Sequence, residues 1–198
     1  MTEKQIERIQ LTIKQYKAAL AAEKKIFGGY DDSAGRRYDI ALLYILIADY
    51  KGAITYKKWF NKNFDDDAGD IMLSLNWSVA YFEFGKLAEA KVHTIDTAFQ
   101  NVYLHNLLLD KGVEQIDMYE LMYNMLEFTT TNIDQYKKAV TKSYIDWLQE
   151  FIETDEYKNP VNKYIALGKL MNDGESDEKH SQLIDHQDKL IEDNLKKV

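Results

Sequence analysis

One proline, Pro160, and nine glycines are the only strong breakers in a chain of 198 residues. Proline interrupts a helix and glycine weakens it, so a chain this short of both is expected to form long regular elements joined at a few localised turns. The apolar spacing agrees. Ile6, Ile9, Ile13, Tyr16, Leu20 and Ile26 recur near every third or fourth position, which predicts a helix from about Glu3 to Phe27 that stops at Gly28 and Gly29. Asp31, Asp32 and Ser33 offer capping oxygens for a second helix from about Ala34 to Ala48, and a third spans about Tyr50 to Asn61. Asp70 caps a helix over Ile71 to Phe84, closed by Gly85, and another runs from Leu87 to about Val102. Tyr103 to Gln115 reads as an irregular connection. Further helices fit Ile116 to Phe128, Ile133 to Glu153, Glu156 to Met171 and Ser176 to Lys197, with the run Thr129-Thr130-Thr131 and Pro160 as the expected interruptions. The expectation is a single all-α domain over residues 1–198 with about eight or nine helices.

Charge and cysteine content exclude several classes of function. A formal net charge of -8, with lysines mixed among aspartates and glutamates, opposes nucleic-acid binding, which needs a basic stripe facing phosphates. A basic partner suits it better. With no cysteine there is neither a disulfide framework nor a thiolate zinc site, and a cytoplasmic location is permitted. The opening MTEKQIERIQ is too polar for a secretory signal. The longest apolar run, Ile40 to Ala48, is far short of the roughly 18 residues a membrane span requires.

A small box, Tyr-x-x-Ala, recurs at Tyr16/Ala19, Tyr50/Ala53 and Tyr136/Ala139, with a leucine version at Leu87/Ala90. Two copies lie inside longer matching segments. Ala41 to Phe60 aligns with Ser78 to Thr97 without a gap at an offset of 37, so that Ala41 meets Ser78, Tyr44 meets Tyr81, Tyr50 meets Leu87 and Ala53 meets Ala90. Small residues at such positions let paired helices approach closely, and the large ones fill the groove between pairs.

This arrangement resembles the tetratricopeptide repeat, in which a small residue and an aromatic on one helix are followed by a turn glycine, then an aromatic or leucine and a small residue on the next. Gly85 matches the turn glycine in the second copy, and Ala48 takes that place in the first. The chain departs from the pattern at the repeat tryptophan, replaced by Arg37 and Ser74, and at Asp65, where a proline is common. The resemblance covers repeats at about 34–67 and 71–104. Residues 116–198 form a helical C-terminal extension, and NVYLHNLLL is similar to a tail in uncharacterised bacterial relatives of this class. The Tyr16 box belongs to one unpaired helix, and the Tyr136 box follows at an irregular spacing of 49. The alternative is an ordinary helical bundle whose tyrosines and alanines share helical spacing.

The resemblance implies antiparallel helix pairs, flanked by capping helices, that bind a protein or peptide and perform no catalysis. It places the groove on the first helix of each pair, at Tyr38, Leu42, Ile45 and Leu46 and at Leu75, Val79, Phe82 and Glu83. So apolar a lining needs a cover, either a partner or this chain's own first or last helix. The final stripe of Leu183, Ile184, Leu190, Ile191, Leu195 and Val198 suits self-cover or a homodimer through the C-terminal helix. Of only three arginines, Arg36 and Arg37 are adjacent at a helix start, where they could hold a partner carboxylate or pair with Asp31, Asp32 or Asp39. An adaptor and an acidic neutraliser of a basic partner, of immunity type, remain open. A different class, a bundle that binds a ligand or metal, rests on Glu89, His93 and Asp96, which share one helix face. No matching Glu-x-x-His pair supports a metal there, and Asp65 to Asp70 fails the calcium-loop register, with Asp70 sixth and Asn76 twelfth. No phosphate loop, nucleophile elbow or HExxH motif is present, and no cofactor is expected.

Overall fold

The computed structural model describes residues 1–30, 32, 34–65, 67, 69–120, 125–172 and 177–197, and no strand occurs among them. The described residues form ten helices: α1 (Glu3–Phe27), α2 (Arg36–Leu46), α3 (Tyr50–Asn63), α4 (Ile71–Glu83), α5 (Leu87–Gln100), α6 (Leu104–Leu108), α7 (Leu126–Lys137), α8 (Lys142–Phe151), α9 (Asp155–Asn172) and α10 (Asp177–Leu195). None of the helices is long and apolar enough to cross a membrane, among the described residues.

Local chemistry sets the first boundaries. Thr2 and Gln5 close a capping box on α1, and Gly28 ends the helix in the left-handed conformation. The Asp32 carboxylate, buried at 7% exposure, accepts the N–H groups of Arg36 (3.0 Å) and Arg37 (2.7 Å), so it caps α2 across an intervening left-handed Gly35. Asp31 and Ser33 lie outside the described residues.

The two aligned segments form two helix pairs, α2–α3 and α4–α5, with the same turn in each. Ala48 N–H bonds to the Ile45 carbonyl and Asp49 N–H to that of Tyr44; at an offset of 37, Gly85 N–H bonds to Phe82 and Lys86 N–H to Tyr81. Ala48 (φ 55°) and Gly85 (φ 80°) both adopt the left-handed geometry this turn requires. Ala41, Ala53, Ala90 and Ser78 are fully buried, as close helix packing demands. Helix α4 lies at the centre, against α2, α3, α5 and α8. All of Leu73–Tyr81 is buried.

The second half differs from expectation in four places, the first being α6, which lies inside the stretch from Tyr103 to Gln115 expected to be irregular. The segment expected to be helical from Ile116 to Phe128 is irregular through Glu120, residues 121–124 lie outside the described residues, and α7 starts only at Leu126. Instead of coiling, this stretch crosses α9. Ile116 N–H bonds to the Tyr103 hydroxyl (3.1 Å) and Tyr119 N–H to the Gly168 carbonyl (2.9 Å). Gly168 lies at the crossing, where an added Cβ would sit 2.6 Å from Met118 Cε and the end of that side chain would have to shift. The expected helix from Ile133 to Glu153 breaks at Lys138–Val140, where the backbone tightens and Thr141 caps α8 through Tyr144 N–H (3.1 Å). The expected interruptions lie inside helices instead. Thr129 is fully buried in α7 and accepts from Asn101 Nδ2 (2.5 Å), which outweighs the few tenths of a kcal/mol that β-branching costs. Pro160 lies within α9, which continues past it and loses one hydrogen bond.

The matched turns make a direct prediction. A Cβ at Gly85 meets no atom within 4 Å, so Gly85→Ala should cost about 1 kcal/mol through backbone conformation alone. Ala48→Gly should raise stability by roughly 0.5–1 kcal/mol, both read as shifts in urea midpoint. Equal destabilisation by both changes would contradict the equivalence of the turns.

Candidate functional site

Three helices present polar and aromatic side chains to one cavity. On α4, Ser74, Trp77 and Tyr81 fall at i, i+3 and i+7; on α5, Glu89, His93, Asp96 and Gln100 form a second stripe; α3 contributes Lys57 and Phe60, and Phe64 follows at its C-terminal end. Ile191 and Leu195 of α10, Tyr164 of α9, Tyr136 of α7 and the turn residues Asp65 and Asp70 also line it. The cavity holds about 1400 Å³.

A connected polar centre lies on this lining. Ser74 Oγ donates to Asp96 (2.9 Å) and accepts from Gln100 Nε2 (2.6 Å). Burial pushes the Asp96 carboxyl up, against the hydrogen bond from Ser74 and the Lys57 charge, which lower it. Burial likewise pushes the Lys57 ammonium down, with Asp96 opposing. The His93 ring stacks on Tyr81, centroids 5.3 Å apart at 5°. Burial, helped by the Lys57 charge, holds His93 near a pKa of about 3, so it is neutral at physiological pH.

The Glu89/His93/Asp96 face therefore does border a cavity, although Glu89 is taken by Lys86 in an ion pair. No cluster of three or more side chains placed to hold a metal ion occurs among the described residues.

The groove expected on the first helix of each pair is closed. Ile45 is 6% exposed and Leu75 and Val79 are at 0%, so all three sit in the core. Leu42 is half-buried against that core. Phe82 stacks on Trp147 of α8 at 4.9 Å and meets Tyr144 edge-on, while Glu83 accepts from Ser143 Oγ (2.6 Å) and from Thr141. On the second pair the cover is α8, packed on α4, whereas on the first pair the opening helix α1 packs against α2. Helix α10 packs instead on α5 and α9, where buried Asn194 donates to the Val92 carbonyl (3.1 Å) and Leu190 and Ile191 join the core.

The arginines are also internally committed. Arg36 pairs with Glu23 (2.8 Å), and Arg37 Nε with Asp67 (2.9 Å), which also accepts from the Tyr38 hydroxyl (2.8 Å). Asp32 binds their backbone N–H groups, and Asp31 lies outside the described residues. Of the nine residues expected at the partner surface, Tyr38 alone lines the cavity. Lys57, Ser74, Trp77, Tyr81 and Gln100 carry the site without having been expected there. One signal for them existed: serine at 74, where the resembled repeat has tryptophan, leaves room beside Asp96.

No family model matches this chain, and neither a curated protein nor a solved structure matches it.

The buried histidines set an acid limit on stability. His105, whose Nδ1 bonds to the Tyr157 hydroxyl (2.8 Å), is also held by burial near a pKa of about 3. An unfolded histidine protonates near 6.5, so between pH 6.5 and 3 the unfolded chain binds more protons and stability falls with acidification. Each contributes at most about 1.4 kcal/mol per pH unit. Urea midpoints measured from pH 6.5 to 5 should fall less steeply for His93→Gln/His105→Gln than for the wild type. Parallel slopes would exclude this origin.

Proposed function

We propose that this protein is a non-catalytic binding module that takes an extended segment of a basic partner protein in the groove between α3, α4 and α5. The size of the cavity carries this reading: about 1400 Å³ exceeds the roughly 300–1,000 Å³ typical of small-molecule sites. Aromatic lining from Phe60, Trp77, Tyr81 and Phe99 supplies contact area, while Asp65, Asp70 and Asp188 bring negative charge to the same cavity. A net charge of -8 extends that preference to the whole molecule and suits a neutraliser of a basic partner. Ser74 is bonded to Asp96 and Gln100 and has no imidazole base, so the activation a nucleophilic hydroxyl requires is missing from its contacts. The identical turns at Ala48 and Gly85 support treating α2–α3 and α4–α5 as tetratricopeptide-like pairs.

Filling the groove tests the proposal. Gln100→Trp, at a half-buried lining position, should weaken capture of the partner by at least about tenfold, a loss of 1.4 kcal/mol or more. Leu42→Glu, outside the cavity lining, should leave affinity unchanged provided circular dichroism shows a folded chain. The reverse pattern would return the site to the first-helix face. Stoichiometric metal in the purified protein, removed by His93→Ala, would replace this proposal with the metal-binding one.

A further inference from the structure

Two opposite charges line one cavity without pairing. Lys57 comes from α3 and Asp96 from α5, and no ion pair within 4.0 Å joins them. Asp96 uses one carboxylate oxygen, Oδ2, on Ser74, while Oδ1 has no hydrogen bond among the described residues. Among the described residues Lys57 makes no hydrogen bond, and its Nζ rests 5.9 Å from the Tyr81 ring centroid. His93, 6% exposed and also in the lining, has a buried Nδ1 without a hydrogen-bond partner among the described residues.

These groups select the chemistry of what lies between them. A guanidinium or ammonium set against Asp96 would leave Lys57 uncompensated in a largely buried site, and a carboxylate set against Lys57 would strand Asp96; both carry the penalty of an unpaired buried charge. A net-neutral group with an acceptor on one side and a donor on the other satisfies both. A trans peptide unit is such a group, because its C=O and N–H point in opposite directions.

We propose that Lys57 and Asp96 form a main-chain clamp, in which the Lys57 ammonium donates to the carbonyl oxygen of one peptide unit of the bound segment and Asp96 Oδ1 accepts from its N–H. The clamp rests on the groove's being a site for a protein segment. Trp77 and Tyr81 of α4 then meet the flanking side chains, and the acidic residues Asp65 and Asp70 meet basic ones further along. The clamp reads backbone; the aromatic and acidic lining reads sequence.

The test uses the full chain and a random library of twelve-residue peptides displayed on phage. Peptides selected on the wild type are synthesised, and each peptide nitrogen is methylated in turn. Methylation at one position should weaken wild-type binding by about tenfold or more and have less than about a twofold effect on Asp96→Asn, which keeps a partner for Ser74. Lys57→Met, which preserves the stem, should weaken the unmodified peptide by about tenfold with an unchanged melting temperature. If no selected peptide is sensitive to Gln100→Trp, the groove itself is wrong and the clamp falls with it. If binding is groove-dependent but the Asp96-dependent loss follows a lysine or arginine side chain instead of a methylated nitrogen, the clamp alone is overturned. Should neither modification couple to Asp96 while circular dichroism shows Asp96→Asn folded, the clamp is likewise overturned.

Discussion

Burial of α4 on every side is the constraint on which the rest of this structure depends. A helix without a solvent face must be apolar, small or hydrogen-bonded at every position, and from Leu73 to Tyr81 this one has no exposed residue. Ser78 meets the requirement by bonding to Thr94 (2.5 Å) and Tyr144 (2.9 Å), which ties α5 and α8 to α4 through one fully buried hydroxyl. Ala80 and Ala90 allow close approach. Asn76 works against it, since its amide is buried and finds no hydrogen-bond partner among the described residues, a cost of about 1–3 kcal/mol.

Once α4 is central, only one of its faces can keep an opening. The face carrying Leu75, Val79 and Phe82 is sealed from within by α8, whose Tyr144 and Trp147 pack on Phe82 while Glu83 binds the residues that begin the helix. The face carrying Ser74, Trp77 and Tyr81 looks into the cavity. There the short side chain of Ser74 leaves space that a larger residue would fill, and the polar groups of α3 and α5 remain without full partners. The two faces thus exchange the roles that helix-pair spacing alone assigns to them.

The first half of the chain was legible because its signals are local. Capping by Asp32 and Asp70, termination at Gly28 and Gly85, and the small residues Ala53 and Ala90 act within a turn or two of themselves, where side-chain type settles backbone geometry. Legibility failed where distant contacts compete with propensity. Thr129 remains helical because Asn101 reaches it, and the stretch from Ile116 stays extended because Tyr103 and Gly168 hold its N–H groups. Asn101 is 28 residues from Thr129 and Gly168 is 49 from Tyr119, and apolar periodicity carries no signal for any of these three hydrogen bonds.

The sequence by itself determined an all-helical chain, the boundaries of the first five helices to within a few residues, and a repeated turn that places Ala48 and Gly85 in one backbone conformation. These follow from short-range sterics and hydrogen bonding. Only the tertiary structure decided which face closes, that Arg36 and Arg37 are committed to Glu23 and Asp67, and that Lys57 and Asp96, 39 residues apart, line the same cavity. The physical reason is that a groove belongs to the space between helices. Its walls are chosen by how whole elements pack, and packing depends on which distant side chains find one another.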